Sequence, residues 1–281
     1  VRSQDLLRAS LDIEQWAAVL AGASDLIVFP ELSVTGPVSA DRPPREVGES
    51  IDGTSLSRVV DIAARHGVSM VVGVAEHDIG SDRVYNSAVL VQPDGTCTAY
   101  RQIHLSVEHT SLFDAGDRWI VVDLPVGRVG MLVGHDALLP EAGRILALRG
   151  CDLIVCPAAL AGTFVGSHPG TDIPHAAEIP TGADPTHWHH MRVRAGENNV
   201  YFAFANTIDA DRGIAGHSGV FGPDTFAFPR TEALVESDAP GHATCVVDTT
   251  SLGGAYPTNV VRRKDLVLMR QPHQYGILST A

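Results

Sequence analysis

Cysteine is scarce in this 281-residue chain: Cys97, Cys151, Cys156 and Cys245 are the only four. They show neither the paired spacing of a zinc site nor the density of a disulfide scaffold. Cys151 and Cys156 sit in apolar runs, where a reduced, buried thiol is expected. Long hydrophobic runs are missing too: no stretch of about 18 apolar residues occurs, so no membrane span is expected. The first residues lack a basic region followed by an apolar segment, which argues against a secretory signal. Basic charge is in deficit, with 20 Lys and Arg against 33 Asp and Glu and a formal charge of -13. That balance excludes an electrostatic footprint for nucleic acid or an anionic membrane. A cytoplasmic location is the resulting expectation. Internal repeats and low-complexity tracts are absent as well.

What is present reads as one α/β domain over residues 1–281. Leu6, Leu7, Leu11, Trp16, Val19 and Leu20 fall at helical spacing over 4–22, with Gly22 as the stop. A buried strand follows at 26–29. The proline- and glycine-rich stretch 41–53 reads as a loop before a helix capped near Thr54 or Ser55 and running to His66. Strands are expected at 68–75, 84–92 and 96–101, the last two forming a hairpin around Pro93-Asp94-Gly95. Residues 120–124 and 128–133 repeat the pattern, then a helix over 140–149 begins with proline and ends at Gly150. Further strands are expected at 153–156, 200–205, 217–221, 225–228 and 243–247, with a helix over 186–197. Residues 161–184 show no periodicity and read as a functional lid or a structureless loop. Helices alternating with strands and hairpins favour a layered α/β sandwich over a barrel.

Glu31 follows a short apolar strand and a proline in DLIVFPELSVTG, where a carboxylate emerges at the sheet edge and suits a general base once desolvated. This segment, YRQIHL (100–105), the run GRVGMLVGHD to LPEAGRILALRGCDLIVCP, WHHMRVRAGENNVYFAFAN (188–206), GHSGVFGPD (216–224) and MRQPHQYGIL occur in that order. Together they resemble the nitrilase superfamily of carbon-nitrogen hydrolases across nearly the whole chain.

The resemblance implies a four-layer α-β-β-α sandwich that pairs into dimers through its helical faces. It also implies a catalytic glutamate, lysine and cysteine: the glutamate takes the thiol proton, the thiolate attacks a nitrile or amide carbon, and the lysine stabilises the oxyanion. Glu31 matches the glutamate, but Gln102 stands at the lysine and Gly134 at the cysteine. A second family glutamate maps to His109, or to Glu108 if the segment bulges by one residue. His135 follows the elbow, while Asp136, Glu141 and Arg144 match residues that orient the elbow and its helix. Glycine at 134 relaxes the strain of a nucleophile elbow. Gln102 is expected to hydrogen-bond Glu31 without neutralising it, leaving the Glu31 pKa raised.

The expectation is therefore a catalytically degenerate homologue that binds a small amide-, carboxylate- or amino-acid-like ligand, or partners an active paralogue. The alternative is hydrolysis through a replacement nucleophile: Cys156, Ser106, or a water activated by Glu31 or His135. No cofactor is expected. His187, His189 and His190 cluster at a helix start, with His168 and His175 upstream, but no carboxylate or cysteine completes a metal site. Residues 1–4 are too short and polar to supply the family's first strand fully, so the chain is expected to start late, either because it was cut there or as a fragment of a longer protein, fused or not.

Overall fold

The structure is a computed structural model describing residues 2–160, 184–224, 232–236, 239–249 and 264–279. Helix α1 (Arg2–Leu20) leads into strand β1 (Leu26–Val28), then helices α2 (Pro44–Val47) and α3 (Thr54–His66) and strands β2 (Ser69–Asp78), β3 (Arg83–Val91) and β4 (Cys97–Arg101). After these come β5 (Val121–Leu124), β6 (Gly127–Met131), α4 (Pro140–Leu148), β7 (Leu153–Ala158), α5 (Thr186–Asn198) and β8 (Tyr201–Asn206). The short strands β9 (Ile208–Asp209), β10 (Ile214–Ala215), β11 (Gly219–Phe221) and β12 (Glu232–Leu234) complete the framework.

Two sheets form, one ordered β1-β2-β3-β4 and the other β12-β11-β8-β7-β6-β5. Each mixes parallel pairs, β1 with β2 and β6-β7-β8, with antiparallel hairpins. The period-two alternation of strands sorts the core. From β2 and β3, Met70, Val72, Val74, Val89 and Val91 turn toward Ile13 and Ala17 of α1 and Leu56, Val59, Ile62 and Ala63 of α3. Val71, Ala88 and Leu90 turn the other way, onto Met131 and Val155 of the second sheet, while Phe202 and Phe204 face its helices. Ala142, Leu146, Met191 and Ala195 of α4 and α5 cover that sheet's far side. The result is the expected α-β-β-α sandwich. Each fully buried leucine or isoleucine in it contributes about 1.5–3 kcal/mol. Among the described residues no helix is long and apolar enough to cross a membrane.

The start of α3 differs from expectation. Gly53 is its N-cap, and neither Thr54 nor Ser55 caps with its side chain. The Glu49 carboxylate accepts from Ser55 N at 2.9 Å and Leu56 N at 3.2 Å instead, placing negative charge at the helix's positive end. Residues 243–247 are not a strand. They line a cavity of about 480 Å³ together with residues of β1, β8 and β11. Residues 161–183 and the strand expected at 225–228, with His168 and His175, lie outside the described residues.

Candidate functional site

Glu31 leaves β1 on a loop stitched along β2: Phe29 N donates to Val71 O at 2.8 Å, Val34 N to Gly73 O at 3.0 Å, and Gly73 N to Ser33 Oγ at 3.1 Å. Gly73 permits this approach, since a Cβ there would lie 2.2 Å from Leu32 N. The backbone of Glu31 also crosses to the second sheet, donating to Ala158 O at the end of β7 at 3.4 Å.

The Glu31 side chain is buried, and Oε1 accepts from Asn86 Nδ2 on β3 at 2.7 Å. Asn86 Nδ2 also donates to Gln102 Oε1 at 2.9 Å, and Gln102 Nε2 donates to Val133 O at 3.0 Å. Gln102 therefore does not hold Glu31 directly, contrary to the sequence expectation: Asn86 stands between them. Strand β3 places Asn86 and the start of the loop after β4 places Gln102, residues too distant in sequence for the intervening amide to be foreseen. A signal existed in Asn86 itself, a polar residue within the apolar run VYNSAVLV.

Gly134 opens the 3₁₀ turn Gly134–Leu138 that follows β6, at φ +42, in the left-handed region glycine tolerates best. A Cβ at 134 would lie 2.5 Å from Glu31 Oε2 and 3.8 Å from Gln102 Nε2. The Glu31 carboxylate thus reaches into the space where a side chain at 134 would begin.

Asp136 clips this elbow in place. Its buried carboxylate accepts from Tyr100 Oη at 2.8 Å, His104 N at 2.8 Å and Val133 N at 3.2 Å, and meets His104 Nδ1 at 2.9 Å. That contact raises the His104 pKa, while burial and then Asp136 raise that of Tyr100. Arg194 of α5 holds the far end of the turn, donating to Ala137 O at 3.0 Å and Leu138 O at 2.7 Å. Arg144 ties α4 to α5 through Glu197 O at 2.8 Å. Tyr100 and His104 lay inside the quoted YRQIHL segment, yet their roles depend on a turn about thirty residues away.

His109 Nδ1 comes within 3.9 Å of Glu31 Oε1, and burial, reinforced by Arg212, lowers its pKa. His109 rather than Glu108 therefore faces the acid; Glu108 is exposed beside it. Glu141 is also exposed, in the first turn of α4, rather than lining a pocket. His135 is half-buried next to Gly134. Cys156 is fully buried, and burial, then Asp136 and Glu31, push its thiol well above the ordinary value, so it stays protonated. His187 and His190 turn ring nitrogens to the carbonyls of His217 at 3.1 Å and Thr186 at 3.2 Å, and His189 is exposed.

Burial pushes the Glu31 carboxyl up to about 7, against the Asn86 hydrogen bond and the charge of Arg212. The unfolded chain releases this proton near 4.5, so between 4.5 and about 7 the folded state binds more protons. The stability Glu31 contributes is greatest below 4.5 and is lost as pH rises to about 7. Against Glu31→Gln, wild type should lose about 3 kcal/mol across that window in urea titrations at successive pH values. His109, Asp136, Cys156 and Arg212 surround Glu31 in both proteins, so their contributions largely cancel in the difference. Parallel stability curves for the two proteins would contradict the raised value.

The family model for carbon-nitrogen hydrolases matches residues 4–227. The chain belongs to the carbon-nitrogen hydrolase family. Among curated members it is similar to a nitrilase of Pyrococcus abyssi, 34% identical over 214 residues that cover 75% of this chain and 71% of the relative. An (R)-stereoselective amidase of a Pseudomonas species is 32% identical over 210 residues, covering 74% and 69%. The omega-amidase of Homo sapiens is 31% identical over 256 residues, covering 85% and 83%. The fold matches a mutant of the Nesterenkonia AN1 amidase from the nitrilase superfamily with a TM-score of 0.70, at 21% identity and covering 99% and 92% of the two chains. Saccharomyces cerevisiae Nit3, of the same superfamily, matches with a TM-score of 0.62 at 22% identity, covering 79% and 77%.

Proposed function

We propose that this carbon-nitrogen hydrolase homologue is catalytically degenerate and uses its retained pocket to bind a small amide-, carboxylate- or amino-acid-like ligand, as a free protein or as partner subunit to an active relative. The observation that carries this reading is the elbow. Position 134 has no side chain, and the Glu31 carboxylate fills the space where one would start. Gln102, a neutral amide committed to Asn86 and Val133, brings no charge to a developing oxyanion. A second copy packing on the helical face belongs to the same reading, supported by the exposure of Leu148 on α4 and Val193 on α5.

One observation favours hydrolysis as a second reading: a buried carboxyl pushed up to about 7 suits a general base acting on water. Glu31 would take the water proton as hydroxide attacks the amide carbon. Without a cation the oxyanion loses about 3 to 4 kcal/mol of stabilisation. The buried, protonated Cys156 gives no support to a thiol route.

Purified protein assayed on amides, nitriles and carbamoyl compounds should show no turnover above a heat-inactivated control. A bound ligand at a hundred times its Kd should raise Tm by roughly 5 to 10 °C. Robust turnover abolished by Glu31→Ala or Cys156→Ala would overturn the binding reading.

A further inference from the structure

We infer that the Glu31 pocket recognises a zwitterion, an amino acid whose ammonium group lies against Glu31 above Gly134 and whose carboxylate reaches Arg212. This inference rests on the binding reading proposed above and names the ligand class for that site.

One end of the pocket is built to accept hydrogen bonds. Asn86 Nδ2 and Gln102 Nε2 are turned to acceptors of the protein itself, as described. Among the described residues Asn86 Oδ1 is buried without a partner, and Glu31 Oε2 faces the space above Gly134. A ligand group rich in N–H donors and positively charged complements this end.

The other end carries a cation. Thr207 donates to Ala158 O at 3.0 Å, the same carbonyl that accepts from Glu31 N. The β9–β10 hairpin therefore rises beside the acid, with Ile214 paired to Asp209 and Ala215 to Ile208. Arg212 lies in its turn, exposed, and its charge is felt at both Glu31 and His109. Among the described residues no carboxylate pairs with its guanidinium, whose planar fork suits a ligand carboxylate.

The two ends together select against simpler ligands. A monocarboxylate near Arg212 is repelled by ionised Glu31, and a monoamine near Glu31 is repelled by Arg212. A molecule carrying both charges, separated by a short methylene spacer, satisfies both ends at once.

Calorimetric titration at pH 8 with glycine, β-alanine, 4-aminobutyrate and 5-aminovalerate measures the spacer, with propylamine, propionate and propionamide as single-group probes. One amino acid should bind about tenfold or more tightly than any single-group probe. Arg212→Gln should weaken that amino acid about tenfold and bind propylamine at least as tightly as wild type, whereas Glu31→Gln should weaken both. Arg212 is exposed, so its variant tests the inference without threatening the fold. Propionamide or propionate binding as tightly as the amino acids, unaffected by Arg212→Gln, would overturn the zwitterion while leaving the binding reading intact. Amino-acid binding insensitive to both variants would overturn the placement at this pocket. No binding by any probe would overturn this inference, and turnover in the amide and nitrile assay would then decide the fate of the binding reading separately.

Discussion

Asp136→Ala should lower the unfolding free energy by about 3 to 5 kcal/mol, a large loss for a single side chain. The carboxylate is fully buried, and its removal leaves Tyr100 Oη, His104 N and Val133 N without their acceptor. Each stranded donor costs about 1–3 kcal/mol, and relaxation or entering water recovers part of the sum. Asp136→Asn keeps an acceptor oxygen but loses the charge, so it should fall between wild type and Asp136→Ala. It should also return the His104 pKa toward its ordinary value, a shift NMR titration resolves, because the contact with Asp136 is the leading cause of the rise. Thermal and urea melts give the stabilities. Asp136→Ala within about 1 kcal/mol of wild type would mean the elbow is held by other contacts, Arg194 foremost.

Gly134→Ala should cost about 2 to 4 kcal/mol, from a left-handed backbone angle that alanine tolerates poorly and from the collision of its Cβ with Glu31. The two causes separate in a double-mutant cycle. In a Glu31→Ala background the collision disappears, so Gly134→Ala should cost only about 1 kcal/mol for its backbone conformation. The coupling arises because the carboxylate oxygen would sit 2.5 Å from the new methyl while Asn86 tethers its other oxygen. Strict additivity of the two substitutions would show that Glu31 swings aside freely, and that the space above Gly134 is open to a side chain.

The layered architecture was legible in the sequence because it is written in local signals. Apolar spacing and the left-handed Gly67 bound α3, Pro140 opens α4, and Asp94-Gly95 closes the β3–β4 hairpin with Gly95 N donating to Gln92 O at 3.0 Å. Glu31, Gln102 and Gly134, far apart in the chain, do converge, as the ordered motifs implied. What escaped was set by tertiary partners. The α3 cap comes from Glu49, which precedes the helix by a turn rather than occupying its cap position. Nothing in the apolar segment 243–247 reveals that it lines a cavity instead of joining a sheet. Asn86 and Arg194 act on residues reached only through the fold, so no spacing rule could have linked them to the elbow.

The bonds around Glu31 have a mechanical reading as well as a chemical one. Glu31 N to Ala158 O, Gln102 Nε2 to Val133 O, and Tyr100 and His104 to Asp136 all run from the β1–β4 sheet to the β12–β5 sheet. They rivet the two sheets together through buried polar groups. The Gln102 amide, the buried Asp136 carboxylate and the Glu31 backbone N–H therefore have work to do at this seam even if no bond is ever cleaved there. Joinery accounts for Gln102 and Asp136 beside the bare elbow, but not for the Glu31 side chain, which is bonded to Asn86 within its own sheet.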